Sequence, residues 1–331
     1  MRISIIGAGG WGTALARLAA NQNHETRLWA YEAEVVESIE ANRVNELFLP
    51  GVELPGSLRV TNDLEEATRD AEMILTAVPS QHLRRLLNDV SPYVSENALL
   101  VSASKGIEEE TLLRMTEVIE QVMSERFEPR VVALSGPTFA MEVAGDQPTA
   151  LVAACDRPDL AREVQRELSS LTFRIYANDD VVGVELGGAV KNVIAIAAGV
   201  SAGLGLGHNP VAALITRGLA EISRLSAALG GRRKTLAGLA GMGDLVLTCT
   251  GRLSRNRSVG YALGKGKPLD TILSSMRTVA EGVPTTHATV ALARRHSVEM
   301  PITFQMDRLL SGETTPEEAI RELMSRRLKE E

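Results

Sequence analysis

Along the first half of the chain, short apolar runs alternate with segments of helical spacing, the pattern of a parallel sheet covered by helices. Strands are predicted over residues 2–6, 26–30, 58–61, 73–78, 98–103, 130–134, 149–154 and 173–176, with helices between them at 13–21, 81–87, 111–124 and 159–171. Residues 45–57 are broken by Pro50, Gly51, Pro55 and Gly56 and read as a surface excursion beside the sheet. After Asn178 the strand-like runs vanish and long helical patterns take over. One such helix is predicted over 211–229, where Leu214, Ile215, Leu219, Ile222, Leu225 and Leu229 share a face before the Gly230-Gly231 stop. Another starts at Thr315-Pro316-Glu317-Glu318, and the mixed-charge segment 326–331 reads as its solvated end. The expected architecture is α/β: a doubly wound, mostly parallel sheet over residues 1–179, followed by an all-α domain over 180–331.

Within this frame Gly7-Ala8-Gly9-Gly10-Trp11-Gly12 follows the first strand directly and opens a helix. There Gly7 serves the tight turn, Gly9 the close approach of a pyrophosphate, and Gly12 the packing of helix on strand. The helix N-terminus adds free N–H groups and a partial positive charge. The first domain is thus expected to be a Rossmann-type dinucleotide-binding domain. Tyr31-Glu32 ends the second strand about 20 residues further on, where a carboxylate can accept hydrogen bonds from the adenosine ribose. Glu32 there would repel a 2′-phosphate, which favours NAD(H) over NADP(H); a solvated loop acid beside Glu34 and Glu37 is the plainer reading.

Composition narrows the field. At 331 residues the chain is long enough for two cores, and aromatics are only 3% against 44% hydrophobic, so those cores are aliphatic. The net charge of −7 and the scarcity of stacking rings argue against nucleic acid and anionic membranes as partners. Cys155 and Cys249 stand far apart, and the five histidines form no pair at i, i+3 or i, i+4, so neither a disulfide framework nor a metal site is expected. No signal-peptide pattern opens the chain, and a cytoplasmic location is expected. The apolar stretch 186–206 contains Lys191, Asn192 and several glycines and reads as a buried helix, with no transmembrane segment.

Two clusters carry chemistry. Lys191 is the only formally charged residue between Leu186 and Thr216. It either snorkels outward or stays buried with a lowered pKa, which would let it exchange a proton near neutral pH. Ser254-Arg255-Asn256-Arg257 offers a guanidinium fork and neutral donors suited to a small phosphate, or is a solvated loop. Gly264-Lys265-Gly266-Lys267 lacks the spacing and the Ser/Thr of a P-loop.

Taken together, these residues resemble the bacterial NAD(P)-dependent glycerol-3-phosphate dehydrogenases. The likeness runs through Gly-Ala-Gly-Gly-Trp-Gly-Thr-Ala-Leu-Ala at 7–16, Val-Pro-Ser at 78–80, Ser-Lys-Gly at 104–106 and Ser-Gly-Pro-Thr-Phe-Ala at 135–140. It continues in Gly-Gly-Ala-Val-Lys-Asn-Val-Ile-Ala at 187–195, Gly-Met-Gly-Asp-Leu-Val-Leu-Thr-Cys-Thr at 241–250, Ser-Arg-Asn-Arg at 254–257 and Val-Ala-Glu-Gly at 279–282. The resemblance implies that Lys191 is the catalytic proton acceptor and donor and that Asp244 orients it, both touching substrate. It further implies substrate contacts at Lys105, Gly136, Thr138, Ser254, Arg255 and Asn256. Cofactor contacts are implied at Gly10, Trp11, Phe48, Lys105, Ala140, Arg255, Val279 and Glu281, beside Gly7, Gly9, Gly12, Tyr31 and Glu32. Two departures stand out: many bacterial members carry Ser at the position of Gly10 and a basic residue near Tyr31. Tyr31-Glu32 looks more like the NAD-selective eukaryotic relatives.

The implied activity is reversible reduction of dihydroxyacetone phosphate to sn-glycerol 3-phosphate with NAD(H) or NADP(H), feeding glycerophospholipid synthesis. Another two-domain NAD(P)-dependent hydroxy-acid dehydrogenase would share the glycine turn but has no need of the basic 254–257 loop. A non-catalytic nucleotide-sensing protein would have no use for Lys191 and Asp244. The apolar helices of the second domain suit a homodimer as well as a monomer's own core.

Overall fold

The computed structural model describes residues 1–327. The first half forms β1 (Arg2–Ile6), β2 (Glu25–Trp29), β3 (Val44–Asn45), β4 (Leu49–Glu53), β5 (Arg59–Thr61), β6 (Met73–Thr76), β7 (Leu99–Ser102), β8 (Arg130–Ser135), β9 (Thr149–Ala154) and β10 (Phe173–Asn178), all but β3 and β4 at the predicted apolar runs. Eight of them form one sheet in the order β10-β9-β8-β7-β6-β1-β2-β5, parallel throughout except between β8 and β9. Order reverses around β1, which pairs with β2 through Ile5↔Leu28 and with β6 through Ile5↔Leu75. This is the switch point at whose carboxyl edge such sheets bind ligands.

Side-chain alternation explains the layers. Ile3, Ile5, Met73, Leu75, Leu99 and Val101 enter one apolar cluster, whereas Ile6, Ile74 and Leu100 enter another. Helices cover both faces, so β6 and β7 are buried at every position. β10 alternates buried and exposed residues until its end, as an edge strand should.

The excursion at 45–57 differs from expectation. β3 and β4 pair there as an antiparallel ribbon, and Asn45, Leu49 and Leu54 are buried. Helix boundaries differ as well, most clearly at two places. The segment expected to be helical from 111 starts only at Met115, because Leu112 adopts a left-handed φ of 63°. The helix expected to reach 171 stops at Leu168, where Ser169 and Ser170 turn their hydroxyls to the backbone N–H groups of Ile175 and Phe173 at 3.2 and 3.1 Å.

The chain forms two units: Met1–Lys105 with Leu113–Glu185, and Gly106–Leu112 with the chain from Leu186 onward. The excursion of 106–112 into the second unit has no signature in the apolar pattern. Among the described residues from 186 onward there is no strand. The helix Val181–Gly203 is long and apolar enough to cross a membrane, and 83% of its most apolar window is buried inside the protein. Its Gly199 and the facing Gly260 of helix Arg255–Gly264 bring the two backbones together: a Cβ on either would collide with a carbonyl oxygen of the other helix, that of Arg257 or of Ile196. Thr315 and Glu318 exchange the two hydrogen bonds of a capping box, 3.2 and 3.0 Å, at the head of helix Pro316–Met324. That helix ends at Met324, so Arg326 lies beyond it, ion-paired to Glu299. The remainder of the charged end, 328–331, is outside the described residues.

Candidate active site

The glycine turn leaves β1 at Gly7, whose φ of +113° and lack of Cβ both matter, since a Cβ would lie 2.7 Å from the Ala77 carbonyl oxygen. Gly9 precedes helix Gly10–Asn21 with no side-chain cap, leaving the first N–H groups to an incoming ligand. Open space lies where a Gly9 Cβ would stand, with nothing within 4 Å. Trp11 buries its indole N–H without a partner among the described residues. Free amides, a positive helix end and open space over Gly9 fit a dinucleotide pyrophosphate. Gly12 packs so closely under Gly7 that a Cβ would overlap the Gly7 carbonyl.

Gly10, Phe48 and Ala140 meet here: a Cβ on Gly10 would stand 2.8 Å from the Phe48 carbonyl oxygen and 3.6 Å from the Ala140 Cβ. The departure at Gly10 thus has a physical reason in this chain, since a serine would press on the Phe48 backbone. Asn45, missed in the sequence, makes the arrangement. Its amide nitrogen donates to the Ala8 carbonyl and the Thr13 hydroxyl, both at 2.8 Å, and its carbonyl accepts the Phe48 N–H at 3.1 Å. The punctuation of 45–57 by proline and glycine concealed it.

Also in the sheet unit, Lys105 Nζ donates to the Gly136 carbonyl at 2.8 Å, and Thr138 Oγ1 reaches the same oxygen at 3.3 Å. Ser104 holds this end of β7 by accepting the Val78 N–H at 3.1 Å and donating to its carbonyl at 2.7 Å. Tyr31 is 80% exposed. Glu32 precedes helix Ala33–Asn42 as its N-cap, without a side-chain cap bond.

In the helical unit Lys191 neither snorkels nor sits unpaired. It is buried in the middle of helix Val181–Gly203 and donates to Asp244 Oδ1, a carboxylate fully out of water. Asp244 is set at the head of helix Asp244–Thr250 by a π-helical turn at Leu239–Gly243, and Thr248 Oγ1 donates to its carbonyl at 2.6 Å. Cys249 lies close enough for the charges of Lys191, Asp244 and Arg257 to reach its thiol, and burial pushes that thiol up to about 12. The surroundings of the pair are therefore dry.

Ser254 caps helix Arg255–Gly264 by accepting the Arg257 N–H at 3.2 Å. Asn256 is buried with its Oδ1 on the Gly282 N–H at 2.9 Å, and its amide nitrogen makes no hydrogen bond among the described residues. Arg255 is solvent-reachable; the protein around it draws the guanidinium below its ordinary range, and Glu281 opposes that shift. Val279 is exposed. The helical unit thus offers a dry Lys–Asp pair for proton transfer together with anion-binding donors on the helix packed against it through Gly199 and Gly260.

A profile described as the NAD-dependent glycerol-3-phosphate dehydrogenase N-terminus matches residues 2–161, and its C-terminal counterpart matches residues 180–321. The chain belongs to the NAD-dependent glycerol-3-phosphate dehydrogenase family. A glycerol-3-phosphate dehydrogenase (NAD(P)+) of Koribacter versatilis is 60% identical over 98% of this chain and 97% of its own. That of Geobacter sulfurreducens is 53% identical over 100% and 98%. Among solved structures, glycerol-3-phosphate dehydrogenase of Coxiella burnetii superposes with a TM-score of 0.94 at 40% identity, covering 98% of this chain and 99% of that one. Yeast glycerol-3-phosphate dehydrogenase shares the fold, with a TM-score of 0.81 at 24% identity over 97% and 98%. Family membership gives the protein its cofactor class, NAD(H) or NADP(H), and makes it an oxidoreductase acting on CH–OH.

Proposed function

We propose that the protein catalyses the reversible NAD(P)H-dependent reduction of dihydroxyacetone phosphate to sn-glycerol 3-phosphate. The observation that carries this reading is the buried Lys191–Asp244 pair, in a chain whose curated relatives bear that activity in their names. The proposed division of labour gives dinucleotide binding to residues 1–179 and substrate chemistry to 180–331.

The nicotinamide, when bound, supplies or takes the hydride at the substrate's C2. In reduction Lys191 Nζ gives a proton to the carbonyl oxygen, and in oxidation it takes the proton of the secondary hydroxyl. Asp244 holds the ammonium through its carboxylate and so fixes where that proton sits. Arg255, with the amide nitrogen of Asn256 and the Ser254 hydroxyl, takes the phosphate, and Lys105, Gly136 and Thr138 complete the substrate contacts. Gly7, Gly9, Gly10, Trp11, Gly12, Phe48 and Ala140 receive the pyrophosphate half of the cofactor. Tyr31 and Glu32 take its ribose, and Lys105, Arg255, Val279 and Glu281 its remaining contacts.

The same reading places the enzyme in the cytoplasm, where its product feeds glycerophospholipid synthesis. Support comes from two buried, unbridged cysteines and a burial pattern that keeps the longest apolar helix inside the protein. A homodimer belongs to this reading too, supported by the half-exposed Val211, Leu214 and Ile215 on helix His208–Ala228.

The test is oxidation of NADH and NADPH, side by side, with dihydroxyacetone phosphate and with a panel of 2-keto acids. Oxidation only with the phosphorylated ketone supports the reading. Turnover of the keto acids instead would move the protein to the hydroxy-acid dehydrogenases, and nucleotide binding without any turnover would make it a sensor.

A further inference from the structure

Just beyond the carboxyl ends of β2 and β5 lies a cavity of about 460 Å³ whose walls include Tyr31, Tyr93, Leu64, Asp63, Glu65 and Asp89. Tyr31 stands beside Glu32, where the adenosine ribose belongs in the reading above. Its ring is braced edge-on by Trp29, with centroids 6.3 Å apart and planes at 64°, and Trp29 is itself fixed by its indole N–H on the Asn62 carbonyl at 3.0 Å. An exposed aromatic face held this way is a platform for a flat heterocycle. The charge around it has one sign, for no lining residue is basic. Asp63 is locked in place because its Oδ1 accepts the N–H groups of Glu65 and Glu66 at 2.8 and 3.1 Å. Glu65 is paired with Arg69. Asp89 makes no hydrogen bond or ion pair among the described residues.

We propose that this cavity takes the adenosine half of the cofactor and that Asp63 and Asp89, together with Glu32, select NADH over NADPH. The inference rests on the cofactor reading of the preceding section and assigns discrimination to residues that sequence position alone does not mark. A 2′-phosphate brings close to two negative charges. At about 6 Å from a single carboxylate in water, Coulomb repulsion lowers affinity roughly tenfold, and salt weakens the effect.

Calorimetric titration with ADP-ribose and with 2′-phospho-ADP-ribose isolates the effect from catalysis. In the unaltered protein ADP-ribose binds at least about thirtyfold more tightly, and raising the salt concentration narrows the gap. In the Asp63→Asn, Asp89→Asn double variant the gap closes by about tenfold or more, while ADP-ribose affinity stays within about twofold. Asparagine caps a helix as well as aspartate, so the fold at Leu64–Thr68 is kept, which thermal melting verifies. Equal binding of the two ligands by the unaltered protein, a gap unmoved in the double variant, or an equal loss for both ligands would each overturn the proposal. Steady-state kinetics with NADH and NADPH gives the second readout. Absence of ketone-dependent oxidation would defeat the proposed reaction and leave the binding series to judge this inference.

Discussion

In the turn at residues 7–12 everything depends on side chains that are missing: Gly7 and Gly12 let backbone touch backbone, and Gly9 leaves room for a ligand. In the helical unit everything depends on side chains that are present, a lysine and an aspartate 53 residues apart in sequence and buried against each other. The turn is a local structure whose amides need no titration to bind an anion. The Lys–Asp pair exists only because helices pack correctly, and in the proposed reaction its value lies in a proton whose position is controlled. The difference teaches where each can fail. On the proposed reading, the turn fails by steric intrusion and loses binding, whereas the pair fails by loss of one charge and loses turnover.

The largest effect that would test this contrast is Lys191→Ala. Turnover should fall roughly 10²- to 10⁴-fold, the range for a positioned acid or base, with cofactor affinity nearly intact. Near-normal turnover would break the comparison at once, because the helical unit would then have no proton to give. Next in size is Arg255→Ala. Charge-assisted phosphate bonds of about 1.5–3 kcal/mol convert to a rise in substrate KM of roughly 10- to 150-fold, with a smaller change in kcat. An unchanged KM would move the phosphate to another cation of the site.

How legible each region was follows from the same contrast. The glycine turn lies within six consecutive residues, so spacing alone suggested its role, and the largely aliphatic runs of β1, β6 and β7 showed a doubly wound sheet because strands buried on both faces are apolar at most positions. Lys191 was visible only as an anomaly, a lone charge in an apolar stretch. Pattern gave two outcomes for it, and the observed one, a buried ion pair, was reachable only through family resemblance, since nothing local links residue 191 to residue 244. Asn45 was hidden for a related reason. Its three hydrogen bonds reach Ala8, Thr13 and Phe48, and a loop rich in proline and glycine signals a turn without saying what it covers. The passage of 106–112 into the second unit was equally silent, being a matter of chain path rather than of periodicity.

Gly10→Ser probes the turn from the opposite direction to Lys191→Ala. The new Cβ meets the Phe48 carbonyl oxygen at 2.8 Å, a backbone atom that cannot rotate away. Overpacking of this kind costs about 1–3 kcal/mol, so the melting temperature should drop by a few degrees. The KM for NADH should rise several-fold, while kcat at saturating cofactor stays close to that of the unaltered chain. Tighter cofactor binding in the serine variant would show that an added hydroxyl donor outweighs the strain, and the turn would then no longer be a structure made only of absences.

The smallest effect tests the dryness of the helical site. Cys249 has its thiol pushed up to about 12 from an ordinary 9.0, chiefly by burial. Above pH 9 the unfolded chain releases this proton while the native protein keeps it until about pH 12. The unfolded state then binds fewer protons, so stability must fall as pH rises through that window, by about 1.4 kcal/mol per pH unit for this one group. Denaturant unfolding of the unaltered protein and of Cys249→Ala between pH 8 and 10.5 measures it. Curves that run parallel below pH 8.5 should diverge above pH 9, with the unaltered protein steeper by about one proton. Parallel curves throughout would mean that water reaches the thiol, and with it the neighbourhood of Lys191 and Asp244. The proton on Lys191 would then be exchanged with solvent rather than held by its partner, and the contrast between an open turn and a sealed pair would disappear.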